Sequence, residues 1–428
     1  MIPVSRALRA TLALLALHGG SGAPLCSPPT VAWMPGHSLI NASTAPGNAH
    51  GLEDGLVVRR ADGALTMIAA AMYGDPLWVR MRLDVFGSAD GTAWQFRRSL
   101  RVSDANFDGS SQHSSSWGPF LTLDSANNSW LLSYVGYRGA PSNASGWLEN
   151  FRGTIFARSA AEPGDAGLDS DFDDANFVAR DVVLLEPDDF SVTGPWPHAC
   201  QGLQGTDSMF PFPLAADAGV GGGVGGWAAF VGTSHQETPN PWPQPGGGKW
   251  PVSLATAPAL TGPWTRLNAA DPAAPADAPC VDLNGGFSEN PIVSRRRVGN
   301  VSLYQVVHDD LNAEADGFGY GCSLDGVQWP PTALVPLPGG CRTPFGLVPM
   351  TPAEVAVHTP AILAWGAVNA TQLNASGSSL SWLFYTAYPP GGAPAPAGGE
   401  GGGRRSRRRG AGAAFEAFFA AIVYFAAE

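Results

Sequence analysis

Short runs of alternating apolar and polar residues recur along the chain, separated by turn-forming residues. SADGTAW at 88–94 and SLDGVQW at 323–329 share the pattern Ser-x-Asp-Gly-x-x-Trp, and each follows a strand-like run. Asp-Gly supplies the positive backbone angle φ of a tight hairpin, and the Trp predicts a returning strand on the packed face. APALTGPWTRL at 257–267 is a degenerate third copy, and ARSAAEPG at 157–164 is a candidate fourth.

The same kind of turn recurs once in each block of about 50 to 90 residues, and fixed-period β units with aromatic landmarks are typical of a propeller. Five segments are candidate inner strands: EDGLVV (53–58), WGPFLTL (117–123), TDSMFPF (206–212), ENPIV (289–293) and RTPFGLV (342–348). In most blades a second strand with Trp or Tyr follows: LTMIAAAMYG, SWLLSYVGY, GWAAFVGTS, SLYQVVHDD and SWLFYTAYP. The sequence therefore predicts an all-β fold, a five-bladed β-propeller of four-stranded antiparallel blades.

The C-terminal segment RRSRRRGAGAAFEAFFAAIVYFAAE has two interpretations. A polybasic flank before an apolar segment is typical of a membrane anchor, but this apolar segment is shorter than the ~20 residues of a span and contains Glu416. Its pattern matches the third strand of the second predicted blade. We therefore interpret 389–413 as a low-complexity insertion in a hairpin and FFAAIVYF as a strand of the fifth blade.

The N-terminal region predicts export. Residues 1–23 have basic residues, an apolar TLALLAL run and then small residues, as in a secretory signal peptide. Residues 24–50 are interpreted as an N-terminal extension, and 51–428 as the propeller. Six Asn-x-Ser/Thr sequons follow, which favours a secreted, extracellular glycoprotein; they begin at Asn41, Asn127, Asn143, Asn300, Asn369 and Asn374.

Cysteine usage fits an oxidising compartment. The five cysteines are too few for a disulfide scaffold, and their number is odd. We expect a disulfide between Cys322 and Cys341 and a second between Cys200 and Cys280, with Cys26 left over. Buried free thiols are the alternative.

Composition and charge restrict the class of protein. The 428 residues are 44% hydrophobic, enough for a large core, and 54 Gly and 38 Pro favour turns over long helices. A net charge of −12 argues against nucleic acid as the partner and favours an uncharged or cationic ligand. No metal-ligand spacing, nucleophile elbow or phosphate loop is present. We expect no cofactor, with a structural central cation such as calcium left open; the oligomeric state is not predicted.

The first residues of the inner strands are the candidate site. In a propeller they face the mouth of the central channel, so side chains from different blades meet there. They are Glu53 or Asp54, Trp117, Asp207, Glu289 and Arg342. Clustered carboxylates raise the proton affinity of one member while another stays ionised, and cleavage of a glycosidic bond requires this separation of roles.

At this point the chain resembles the five-bladed glycoside hydrolases of family 43 (arabinanases, arabinofuranosidases, xylosidases) and the related families 32 and 68. The resemblance rests on the order Asp, Asp, Glu on the first, third and fourth inner strands and on the turns SADGTAW, SLDGVQW and TGPW. It implies that Asp54 is the general base, Asp207 tunes and positions the acid, and Glu289 is the general acid of an inverting reaction. Family 43 usually has Pro after the first and middle Asp, where this chain has Gly55 and Ser208.

Each candidate also has a structural interpretation. Asp54 and Asp207 can serve turn or loop chemistry. Arg342 can form an ion pair with Glu289 or Asp207 instead of contacting substrate, and Trp117 can belong to blade packing instead of stacking on a sugar. His308, in VVHDD, is a candidate for binding sugar hydroxyls, with a hydrogen-bonded structural histidine as the alternative.

Two classes of function follow. The first is a secreted glycoside hydrolase that cleaves poly- or oligosaccharides by paired-carboxylate acid/base catalysis. The alternative is a non-catalytic extracellular propeller that binds glycan or protein, favoured by the missing Pro positions. A sialidase is a third possibility because the turns resemble shortened Asp-boxes, but only Arg342 is suitably placed for the arginine triad of such an enzyme.

Overall fold

A computed structural model of the protein describes most of the predicted strands and leaves out several connections. The residues that it describes are 26–41, 44, 45, 47, 50–74, 80–100, 115–137, 153–170, 172, 181–186, 206, 208–215, 226–232, 252–266, 283, 288–298, 301–310, 316–387 and 417–426. The predicted signal peptide and the predicted insertion at 389–413 lie outside these residues.

The strands form five four-stranded antiparallel sheets, the blades of a β-propeller. Blades 1 to 4 follow the chain, and β1 (Thr30–Trp33) joins blade 5. The remaining strands are β2 (Gly51–Arg59), β3 (Leu65–Met72), β4 (Met81–Ser88) and β5 (Trp94–Leu100) in blade 1; β6 (Ser115–Asp124), β7 (Ser129–Tyr137), β8 (Thr154–Ser159) and β9 (Val182–Leu185) in blade 2; β10 (Ser208–Pro213), β11 (Trp227–Gly232), β12 (Val252–Ala257) and β13 (Thr265–Arg266) in blade 3; β14 (Ser288–Val298), β15 (Val301–Asp310), β16 (Gly317–Ser323) and β17 (Ala333–Pro336) in blade 4; β18 (Thr343–Pro349), β19 (Ser379–Ala387) and β20 (Ala417–Phe425) in blade 5.

The predicted inner strands are confirmed, since β2, β6, β10, β14 and β18 each lie at one edge of a sheet and are neighbours in a closed ring. The predicted second strands are β3, β7, β11, β15 and β19.

Blade 5 closes the ring with strands from both ends of the described sequence. β20 pairs with β19 along its whole length, which confirms FFAAIVYF as a strand of this blade, and its other edge pairs with β1. The propeller thus includes residues 30–33, which precede the boundary expected at residue 51. Among the described residues, no helix is long and apolar enough to cross a membrane.

Aromatic residues fill the spaces between blades. Phe120 of blade 2 meets Phe210 of blade 3 with ring centroids 5.4 Å apart, and Tyr320 of blade 4 meets Phe425 of blade 5 at 6.0 Å. Such pairs add about 0.5–1.5 kcal/mol to the free energy of burial. The blades are therefore held side by side by apolar packing between their faces.

The repeated turns place tryptophans in these spaces. In SADGTAW, Ser88 Oγ accepts a hydrogen bond from the Gly91 amide, and Trp94 Nε1 donates to the Gly91 carbonyl. SLDGVQW makes the same pair of bonds. Trp94 packs against Phe384 and Phe418 of blade 5, and Trp329 packs against blade 3, so each turn contacts the preceding blade. In blade 4 the returning strand begins at residue 333, not at the Trp.

Three helices interrupt the blades: α1 (Asp165–Ser170), α2 (Pro352–Trp365) and α3 (Ala370–Leu373). α2 follows the inner strand of blade 5, at the end of that strand distant from Arg342. Thr351 and Glu354 form a capping box at its N-terminus, and Glu354 also accepts a hydrogen bond of 2.9 Å from Arg59 of blade 1. α2 therefore links blades 5 and 1 on the face opposite the predicted mouth.

The predicted disulfide pairing is wrong. Cys26 is bonded to Cys322, with their Cα atoms 5.7 Å apart, and Cys341 is a buried free thiol. Cys322 lies in β16, the third strand of blade 4, whereas Cys341 precedes the inner strand of blade 5. The pairing of Cys200 with Cys280 falls outside the described residues. The disulfide therefore attaches the segment before β1 to the neighbouring blade.

We expect reduction of this disulfide to lower the melting temperature, because it removes a cross-link worth about 2–4 kcal/mol. Thermal unfolding of the wild type and of a Cys26→Ser/Cys322→Ser variant, each with and without reductant, tests this. The variant should melt below the oxidised wild type and be insensitive to reductant. A reductant effect of equal size in both proteins would contradict the pairing.

Asp90 should stabilise the first turn in a pH-dependent way. Burial opposes its ionisation, but the backbone amides of Ala93 and Thr92 donate to its carboxylate, so the pKa of Asp90 lies below the usual 3.8. Because the folded pKa is depressed, this contribution is complete above the unfolded value and is lost as the pH falls through the folded pKa.

Asp90→Ala should therefore cost about 0.5–1.5 kcal/mol of unfolding free energy at pH 7 and less at pH 3. Urea unfolding at both pH values measures this difference. Asp90→Asn is the matched control, since it keeps an acceptor oxygen and should lose less. A cost for Asp90→Ala that is unchanged at pH 3 would contradict the role of the carboxylate.

Candidate functional site

Three inner strands carry a β-bulge near their first residues, and the residue before each bulge is a predicted site residue. These residues are Glu53 on β2, Trp117 on β6 and Glu289 on β14. A bulge inserts an extra residue, bends the strand and re-aims the neighbouring side chain. The next residue has a positive φ in each case: 39° at Asp54, 51° at Gly118 and 50° at Asn290.

The Arg342 guanidinium joins carboxylates from two other blades. Its Nη2 donates to Glu53 Oε1 of blade 1 at 2.7 Å. Its Nη1 donates to Asp309 Oδ2 at 2.6 Å and to Glu289 Oε2 at 3.4 Å, both in blade 4. The predicted ion pair between Arg342 and Glu289 is therefore present, and one cation connects blades 1, 4 and 5.

The four side chains differ in burial. The exposed fraction is 0% for Asp309, 4% for Glu53, 11% for Arg342 and 18% for Glu289. Buried charges are tolerated when they are paired and hydrogen-bonded, which explains why the two most buried carboxylates make the shortest bonds to Arg342. Within this cluster Glu289 is the most exposed and the most weakly held, so it is the carboxylate most accessible to a ligand.

Asp54 approaches Glu289 from the opposite side of blade 5. Asn290 Nδ2 donates to Asp54 Oδ1 at 2.7 Å, although β2 and β14 are separated in the ring by β18. Asp and Asn tolerate a left-handed backbone better than most residues, so the two bulges can turn these side chains toward each other. The structure thus brings Asp54, Glu53, Glu289 and Arg342 together at one mouth of the channel.

Trp117 occupies the same position on β6 as Glu53 does on β2. It is 9% exposed, its indole nitrogen donates to Ser115 Oγ at 3.0 Å, and its ring packs edge-on against Tyr137. These contacts fit packing within blade 2. Asp207 lies outside the described residues, so the structure does not place it.

His308 is completely buried, and both ring nitrogens have partners. Nδ1 donates to the Asp309 carbonyl at 2.8 Å, and Nε2 lies 2.8 Å from Thr332 Oγ1. Burial lowers the pKa of His308, so the ring is neutral at pH 7. The structure does not bring His308 to the carboxylate cluster.

Asp309 is the site residue that sequence analysis missed. Successive side chains of a strand point to opposite faces, and Asp309 therefore points away from His308. It lies directly opposite Glu289 in the pairing of β14 with β15. The signal in the sequence was the acidic pair after His308, but the bulge decides which of the two faces Glu289.

The described carboxylates are arranged around Arg342 and not around a metal. Among the residues that the structure describes, no group of three or more His, Cys, Asp or Glu could hold a metal ion. Glu53, Glu289 and Asp309 instead turn their oxygens toward one guanidinium. These residues do not fit the central calcium ion that was left open above.

Comparison with known proteins supports the fold. No protein-family model and no curated protein sequence matches. A complex of BT0996 with RGII matches with a TM-score of 0.50 at 11% identity, over 91% of this protein and 92% of that one. A glycoside hydrolase matches at 0.47 and 11% identity over 91% and 92%, and the α-L-arabinofuranosidase PaAbf62A from Podospora anserina with cellotriose at 0.44 and 12% over 93% and 98%.

We expect Arg342→Met to destabilise the protein by about 3–5 kcal/mol at pH 7, because it leaves buried carboxylates without their cation. The loss should be smaller at pH 4, where carboxylates begin to take up protons. Urea unfolding at both pH values measures it.

Arg59→Met is the control for Arg342→Met. It also breaks an ion pair between blades 1 and 5, but its Arg59 side chain is 21% exposed. Its cost should therefore be smaller. Equal costs for the two variants would show that Arg342 is not the central ionic link.

Proposed function

We propose that the protein is a glycoside hydrolase that acts on a poly- or oligosaccharide at the mouth of the channel. The observation that carries the proposal is the meeting of carboxylates from two separate blades, Asp54 and Glu53 from blade 1 and Glu289 from blade 4, at that mouth. Hydrolysis of a glycosidic bond needs two carboxyl groups with different roles on opposite sides of the bond.

Glu289 is proposed as the general acid. It is the most exposed carboxylate of the cluster and has the longest contact with Arg342. It donates its proton to the glycosidic oxygen as the bond from that oxygen to the anomeric carbon breaks. The leaving sugar departs as a neutral alcohol, and Glu289 is left ionised.

Asp54 is proposed as the general base. The bond from Asn290 holds Oδ1 and fixes the orientation of the carboxylate. Oδ2 then takes a proton from the water molecule that attacks the anomeric carbon, which restores the total number of protons on the two carboxyl groups. Asp207 is proposed, from the resemblance alone, to position the acid and tune its pKa.

Glu53 and Arg342 are proposed to shape the site. Glu53 neutralises one side of the guanidinium, so that Arg342 is fixed beside the acid. Arg342 is 11% exposed, and a sugar hydroxyl is the group that it would contact. Trp117 remains a proposed stacking surface, one blade away from Glu53.

Secretion is proposed as the setting. The structure contains a disulfide, which is typical of oxidising compartments. Of the six sequon asparagines, Asn127, Asn369 and Asn374 are exposed on the described surface and so are sterically suited to carry glycans. These observations agree with the signal peptide expected from the sequence.

A second candidate function is non-catalytic binding of a glycan or protein at the same mouth. The observation that favours it is the contact between Arg342 and Glu289, because a nearby cation favours the ionised form of a carboxyl group and a general acid must be protonated. A binding module would use Glu289 as a fixed acceptor for hydrogen bonds.

Glu289→Gln should abolish most hydrolysis, because general acid catalysis contributes about 10²–10⁴-fold to the rate. Release of reducing sugar from arabinan, xylan and fructan by the wild type and the variant measures this. Glu162→Gln is the control, since it makes the same change at an exposed residue beyond β8.

The two candidate functions predict different results. Hydrolysis by the wild type that Glu289→Gln reduces at least ~100-fold and Glu162→Gln does not supports the enzyme. Binding of a glycan without hydrolysis supports the second candidate. Hydrolysis that survives in Glu289→Gln would contradict the role of Glu289.

A further inference from the structure

Arg342 shares its guanidinium unequally between the two carboxylates of blade 4. The same nitrogen, Nη1, lies 2.6 Å from Asp309 Oδ2 and 3.4 Å from Glu289 Oε2. The first distance is that of a strong charge-assisted hydrogen bond, and the second is at the outer limit of a hydrogen bond. Asp309 thus holds the nitrogen that would otherwise be available to Glu289.

This unequal sharing bears on the chemistry of Glu289. A guanidinium in close contact stabilises the carboxylate form of a neighbouring carboxyl group. A general acid must hold its proton until the glycosidic oxygen accepts it. A short bond from Arg342 to Glu289 would therefore oppose the role proposed for Glu289, and a long contact opposes it less.

We propose that Asp309 is a positioning residue that holds Arg342 Nη1 away from Glu289 and so keeps Glu289 able to carry a proton. The inference rests on the proposed function. Asp309 acts through Arg342 and need not touch a substrate. Its carboxylate is 0% exposed and lies on β15, which is paired on both sides by β14 and β16. These contacts leave it little freedom to follow the guanidinium.

The second nitrogen of Arg342 is fixed independently. Nη2 donates to Glu53 Oε1 at 2.7 Å from the blade 1 side. Two short bonds at opposite ends therefore set the plane of the guanidinium, and the weaker contact to Glu289 results from that plane. Among the described residues, the charged groups that face Glu289 are Arg342 from blade 5, Asp309 from blade 4, and Glu53 and Asp54 from blade 1.

The test is the titration of Glu289 in the whole protein, followed by ¹³C NMR of labelled glutamate side chains, with Glu289→Gln used to assign the signal. Asp309→Asn keeps the shape and one acceptor oxygen but removes the charge that holds Nη1. We expect Arg342 to turn toward Glu289 and the Glu289 midpoint to fall by about one pH unit or more. Where hydrolysis is present, the alkaline limb of the pH–rate profile should move to lower pH by the same amount.

Two control variants separate positioning from simple charge effects. Asp310→Asn makes the same change at the next residue, whose side chain lies on the other face of the strand, and should leave the midpoint near the wild-type value. In an Arg342→Met background, Asp309→Asn should shift the Glu289 midpoint much less than it does in the wild type. An equal shift in both backgrounds would show that Asp309 acts directly on Glu289, and the proposal would be wrong.

A further variant keeps the test decisive if Asp309→Asn does not fold. Asp309→Glu retains the charge and can still bond to Nη1, so its Glu289 midpoint should match the wild type. A lowered midpoint in Asp309→Glu, or an unchanged one in folded Asp309→Asn, overturns the proposal. The NMR titration does not need activity, so absence of hydrolysis would overturn the proposed function and leave this result to be judged separately.

Discussion

The bonds of one buried arginine determine how the mouth of the channel is arranged. Arg342 stands just before the inner strand of blade 5 and bonds to carboxylates of blades 1 and 4. Taking these charges out of water is costly, and only close pairing offsets that cost. The positions of Glu53, Asp309 and Glu289 are therefore linked, and a change at one of them alters the balance of charge at the others.

The bulges make this arrangement possible. A regular strand would direct its residues alternately to the two faces of the blade, and Asp54 and Asn290 could not meet above β18. The extra residue on β2 and on β14 turns both side chains across the ring. Local backbone strain at these two positions is offset by the hydrogen bond between the side chains.

The fold could be predicted from the sequence because its signals are local. Alternation along each strand and the Ser-x-Asp-Gly-x-x-Trp turns identified the five blades, and the bonds of Ser88 and Trp94 show why that turn has these residues. The site was harder to predict. Counting back from the turn between β14 and β15 would place Asp310 opposite Glu289, and the bulge shifts the pairing by one residue to Asp309. The disulfide depends on which strands close the ring, and no local pattern encodes this.

The closure of blade 5 also constrains the order in which the protein can fold. β20 must insert between β19 and β1, so β1 leaves the ribosome long before its partner is synthesised. Its exposed edge and the thiol of Cys26 must wait, and contacts of such long sequence separation form slowly. During that interval the nascent polypeptide would depend on chaperones that shield sheet edges and on isomerases that correct wrong cysteine pairs.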